Sequence, residues 1–189
     1  GRALRRHVGD VLRQEGLTRE FFDGFAGALD RLVDEMQHGP SDEETRHDLA
    51  LATLLRLVFI YFLQERGALD GDRRFVIRHL RSAVADGADF YDAVLRPFFF
   101  GALNCTPSDR HAGARELGEL PFLNGGLFEP IPAEREHPNL TWPNAVWDDV
   151  IVELLERFHF TVDEGVGDDE SCAVDPEMLG KVFEGLMYG

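Results

Sequence analysis

The search for chemistry begins with the one lysine, Lys181, among 19 basic residues. A metal-dependent nuclease gathers carboxylates round a divalent ion, commonly with a lysine two positions after an acid to stabilise charge on the attacked phosphate. Lys181 follows Leu179-Gly180 instead, so that signature is missing. An adenine methyltransferase carries an Asp/Asn-Pro-Pro-aromatic loop that holds a flipped base. Asp175-Pro176 supplies two of its four positions, but Glu177-Met178 follows, and an aspartate N-cap with proline at N1 accounts for the pair as a helix start. The spaced glycines of Phe22-Asp-Gly-Phe-Ala-Gly27 fall inside a helical pattern, not after a strand. Zinc needs Cys and His at short spacing. His7, His38, His47, His79, His111, His137 and His159 are scattered, and none pairs with Cys105 or Cys172. The acids of residues 163–170 lack the alternation of a calcium loop and read as a solvated turn.

Two sets of arginines are more informative. Arg74, Arg78 and Arg81 fall on one stripe of a helix, where three guanidinium groups could contact phosphates of a nucleic-acid backbone. The alternative is a solvated face paired with nearby acids. Arg56 lies in an apolar run, where a charge must be paired, so it should bond a buried carboxylate or loop carbonyls.

The elements that would position these residues are mostly helices. Leu4, Val8, Val11 and Leu12 form a stripe over residues 3–15. Thr18 offers an N-cap for a second helix running to about Gln37, with Phe21, Phe25, Leu29, Leu32, Val33 and Met36 at helical spacing. Gly39-Pro40 ends it, and Ser41-Asp-Glu-Glu44 has the pattern of a capping box. The next helix, about 42–66, is apolar on every face from Leu49 to Leu63 except at Thr53 and Arg56. Such a helix is buried in a core or in lipid. The run is shorter than the roughly 20 residues a bilayer requires, so a central core helix is expected and no membrane span. A helix from Arg73 to about Asp86 should turn Val76, Leu80 and Val84 inward. Another from Asp89 should kink or end at Arg96-Pro97 and bury Phe98, Phe99 and Phe100. Residues 104–146 hold most of the nine prolines, and Asn124-Gly125 suggests a tight turn, hence a structured excursion with a candidate two-stranded ribbon. Helix resumes over about 146–158 on Val146, Val150, Leu154 and Leu155, a short strand follows at 158–162, and a last helix opens at Asp175-Pro176.

The 189 residues carry a formal net charge of −16, and two cysteines exclude a disulfide framework. A reducing, cytoplasmic setting is expected, and no signal peptide is visible. An acidic surface nearly devoid of lysine fits either a salt-rich cell or GC-rich codon usage. The acidity is uneven. Residues 66–81 hold Arg66, Arg73, Arg74, Arg78 and Arg81 against Asp70 and Asp72, whereas residues 147–180 hold Arg157 against many acids. The first residues, Gly1-Arg2, and an end within a helical pattern read as an internal piece of something longer.

Four stretches resemble a known family in the same order along the chain: residues 54–67 (LLRLVFIYFLQERG), 90–100 (FYDAVLRPFFF), 120–128 (LPFLNGGLF) and 173–184 (AVDPEMLGKVFE). The family is that of type IIG restriction–modification enzymes and related phage-defence N6-adenine DNA methyltransferases. The resemblance implies a mainly helical connector between a nuclease domain and a methyltransferase domain. It also implies S-adenosylmethionine and Mg as cofactors of the parent protein, none being held in this segment. The family's catalytic motifs lie outside such a segment, so no catalytic residue is carried over and none of these residues is expected to be a metal ligand.

The expectation is therefore a mainly α fold, a multi-helix bundle around a buried central helix. Residues 1–103 would form the bundle, 104–146 the Pro/Gly-rich excursion and 147–189 a helical part leading toward a methyltransferase domain. The expected function is a connector without catalysis of its own. Its partners would be the flanking domains of the same chain and DNA. The rival readings are an acidic protein-interaction module and a divergent metal-dependent nuclease using the 163–170 acids.

Overall fold

A computed structural model of the chain describes residues 19–123, 125–158 and 160. The expected first helix, Asn124 of the turn, most of the 158–162 strand, the acidic loop and the last helix lie outside the described residues. The described part is mainly helical and contains no strand.

Helix α1 spans Arg19–Asp34 and α2 spans Glu43–Glu65. The apolar pattern of α1 becomes one buried face, with Phe21, Phe25, Leu29, Leu32 and Val33 inside. The cap of α2 differs from the expected capping box by one residue. Asp42, not Ser41, is the N-cap, and its carboxylate accepts from the Thr45 backbone N–H at 2.8 Å and the Thr45 hydroxyl at 2.6 Å. Those two bonds, the hydroxyl's first, hold the Asp42 carboxyl below the usual range. From His47 onward nearly every residue of α2 is buried. This is the one helix among the described residues long and apolar enough to cross a membrane, and most of it is covered by its own chain, as a core helix is.

Helix α3, Phe75–Ala85, buries Phe75, Val76, Ile77, Leu80 and Ala83. Val84, expected inside, is 49% exposed. The buried set follows i, i+1, i+4 and i+7 from Val76, and the helix is rotated so that Ala83 rather than Val84 meets the core.

The segment after Asp89 departs from expectation at Pro97. Of the kink or end expected there, the end does not occur, since the backbone stays helical through Arg96. The helix continues as two π-helical stretches, Tyr91–Leu95 and Pro97–Leu103. The Arg96 N–H reaches the Tyr91 carbonyl, five residues back. Proline removes one donor and crowds the preceding turn, and a wider turn gives its ring room. Phe98 and Phe99 are buried and Phe100 partly so.

No ribbon forms in the described part of 104–146. Short turns take its place: α4 (Ala112–Arg115), a 3₁₀ turn at Gly126–Phe128, α5 (Pro132–Glu136) and the start of α6 (Asn144–Trp147). The one extended pairing is an isolated antiparallel bridge between Gln37 and Thr141. Side chains fasten the excursion instead of a sheet ladder. Trp142 donates Nε1–H to Leu32 O at 2.7 Å, and Asn144 bonds Phe90 N and Ala88 O. Arg110 donates to Ala102 O and Pro121 O, and Arg96 donates to Leu140 O. Beyond α6 the chain continues as a π-helical stretch, Asp148–Val152, and a 3₁₀ turn, Leu155–Arg157. Val146, Val150, Leu154 and Leu155 are all buried there. The core is one contiguous cluster from Phe21 to Phe160, and the excursion contributes Leu117, Leu120, Phe128 and Trp142 to it.

Candidate functional site

Arg56 sits at the middle of α2 with its side chain wholly buried. Each guanidinium nitrogen is used. Nε donates to Leu127 O at 2.7 Å, Nη1 to Glu134 Oε1 at 2.5 Å, and Nη2 to Glu129 O at 3.0 Å and Glu134 Oε2 at 3.1 Å. The Phe99 and Phe100 rings lie 5.8 and 5.0 Å from its central carbon. Glu134 also accepts from Ile131 N–H at 2.8 Å, at the first turn of α5. One side chain on the central helix thus holds residues 127–134 by two carbonyls and a bidentate carboxylate, a geometry that a lysine could not reproduce. The partner Glu134 was hidden in the sequence, being one of many acids. Its one local signal is a place three residues after Ile131, where a carboxylate can reach back to a free amide.

The three arginines of the stripe have different surroundings. Arg74 is exposed at the N-cap of α3. Its backbone N–H bonds Asp72 Oδ1 at 2.8 Å, and its guanidinium has no bonded partner among the described residues. Arg78 donates Nε–H to Asp72 Oδ2 at 2.6 Å and lies 6.0 Å from the Phe75 ring. Burial raises the Asp72 carboxyl, but the bonds from Arg74 N–H and Arg78 outweigh it and hold it below its usual value. Arg81 lines an open groove of about 320 Å³ with Ile77, Leu80, Val84 and Val152, and Asp148 lines it too. The structure therefore brings Asp72 into the stripe and leaves its three cations unequal.

Most of the leading amides of α3 already have acceptors. Val76 N–H is accepted by Gln64 Oε1 at 2.9 Å, and Phe75 N–H by Asp72 O at 3.3 Å. His79, its ring tilted against Phe75 with centroids 4.4 Å apart, is half-buried. Burial first, then the Arg78 charge, hold its imidazole below the usual histidine value. Tyr61 donates to Glu156 Oε1 at 2.6 Å, and its burial beside that carboxylate raises the phenol. Among the described residues no three His, Cys, Asp or Glu side chains gather as metal ligands.

Over 185 residues, 95% of its length, the chain is 32% identical to a Methanocaldococcus jannaschii protein provisionally named a type II restriction enzyme and methyltransferase. The chain is similar to a region of a restriction–modification protein. It spans 15% of that relative's length. No family model matches the chain. No solved structure matches it either.

Proposed function

We propose that this chain is a helical connector of a type IIG-like restriction–modification protein, without catalysis of its own. In this reading it holds a nuclease domain and an N6-adenine methyltransferase domain at a set separation, and its arginine-bearing face meets the DNA backbone. S-adenosylmethionine and Mg are then used by the parent protein outside this region. The observation that carries the proposal is the similarity of 95% of this chain to 15% of a relative whose name holds both activities. The fold agrees with a spacer's task, because a central helix buried along most of its length and a pinned excursion make one packed body.

Two assays test it. The 189-residue chain alone should neither cleave DNA with Mg nor transfer methyl groups from S-adenosylmethionine, and either activity would refute the connector. In the full-length protein, a Gly/Ser linker of similar reach in place of this region should uncouple cleavage position from the methylated site. A linker variant with unchanged cleavage position and methylation would equally remove the spacing role.

A further inference from the structure

Among the described residues, seven arginines have acceptors for their guanidinium groups. Arg31 pairs with Glu35 and Asp149, Arg56 with Glu134, Arg78 with Asp72 and Arg96 with Asp92. Arg46, Arg110 and Arg115 bond carbonyl oxygens. Five exposed arginines have no side-chain hydrogen bond or ion pair among the described residues: Arg66, Arg73, Arg74, Arg81 and Arg135. In a chain of net charge −16, the grouping of these five decides which surface can meet an anion. Three of the five fall at the corner where α2 passes into α3. Gln64 Oε1 accepting Val76 N–H ties the two helices together there, with Arg66 two residues after Gln64 and Arg74 two residues before Val76.

The corner is also rigid. Leu69 is fully buried, and the chain turns through left-handed residues at Gly67, Asp70 and Gly71. Bonds from Ala68 N to Leu63 O, from Gly71 N to Gly67 O and from Asp70 N to Glu119 O fix the turn. Of the acids at this corner, Asp72 is taken by Arg74 N–H and Arg78, and Asp70 by Glu119 N–H. Glu65 and, across the turn, the exposed Glu119 are the remaining carboxylates. Three guanidinium groups thus project from a fixed turn, while Arg78 is neutralised by Asp72 and Arg81 shares its groove with Asp148.

We propose that the α2–α3 corner, through Arg66, Arg73 and Arg74, is the surface that contacts DNA phosphates, with Arg78 acting as an internal brace. This rests on the DNA-contact part of the function proposed above and moves it from the helix stripe to the corner, keeping Arg74 and replacing Arg78 and Arg81 by Arg66 and Arg73.

The test is the salt dependence of duplex binding by the full-length protein. Each phosphate contact contributes about 0.9 to the slope of log K against log salt. In R66A/R73A/R74A the slope between about 50 and 200 mM salt should become shallower by roughly 2–3. R66K/R73K/R74K should keep the original slope, since a phosphate accepts either cation. R78A and R135A should leave it unchanged. An unchanged slope in the triple alanine variant, with its unfolding midpoint preserved, overturns the assignment. If R78A/R81A carries the loss instead, the corner is wrong but DNA contact stands. If no arginine variant moves the slope, DNA contact by this region falls, while the spacing role is judged separately by the linker exchange.

Discussion

Removing either partner of the Arg56–Glu134 pair strands a charge in a place closed to water. Glu134→Ala should therefore destabilise the chain by about 3–5 kcal/mol in denaturant unfolding, and Arg56→Ala by a similar amount. The double change Arg56→Met with Glu134→Leu should cost clearly less than the sum, since no lone charge remains. A strictly additive double variant would show that the two residues act independently. The position of Arg56 in an apolar run already implied a buried bond, because burial without one is prohibitive. The sequence did not reveal which acid answers it. Glu134 lies 78 positions away, and nothing local marks one carboxylate as the one that folds inward. The same holds for Asp72. Helical spacing alone aligns Arg74, Arg78 and Arg81, but the turn before α3 decides that Arg78 is held and Arg74 is not.

At the scale of elements, the joint between the α2–α3 corner and the excursion depends on Gly118. Its φ is +106°, and a Cβ there would come to 2.8 Å from Asp70 Oδ2. Asp70 cannot move away freely, because its carboxylate accepts from Glu119 N–H and its own N–H bonds Glu119 O. Gly118→Ala should destabilise by about 1–3 kcal/mol. Gly125→Ala is the control: its backbone is extended and a Cβ meets nothing, so the change should stay within about 0.5 kcal/mol in the same unfolding titration. Equal effects at the two positions would show that the Asp70 clamp contributes nothing. The contrast explains what was readable in advance. Helices α1, α2 and α3 were legible because a long apolar period outweighs local detail. The excursion was not, because its order comes from Arg56, Arg110, Trp142 and Asn144 reaching distant carbonyls and amides. The expected end at Pro97 failed for a related reason. The rule that proline breaks a helix assumes α geometry, and the packed Phe98 and Phe99 keep the chain winding in a wider turn.

At the scale of the molecule, a spacer between two domains works only if it does not bend within itself. The described residues meet that condition through a single core, in which Leu32, Leu54, Phe99, Phe128, Trp142 and Trp147 belong to one cluster. The two tryptophans make this measurable. They are the only two in the chain, both are fully buried, and both lie at residues 142–147, far from α1, α2 and α3 in sequence. Fluorescence therefore follows the end of the excursion, while far-ultraviolet circular dichroism is weighted toward the long helices. If the body is one cooperative unit, the two signals should give the same midpoint and the same slope in a denaturant titration. Glu134→Ala should shift both together, because the segment that Arg56 pins cannot loosen without uncovering α2. A fluorescence transition at lower denaturant than the helical one would mean that the excursion opens alone. The expected boundary near residue 104 would then be a real seam, and the spacing role proposed above would fail across it.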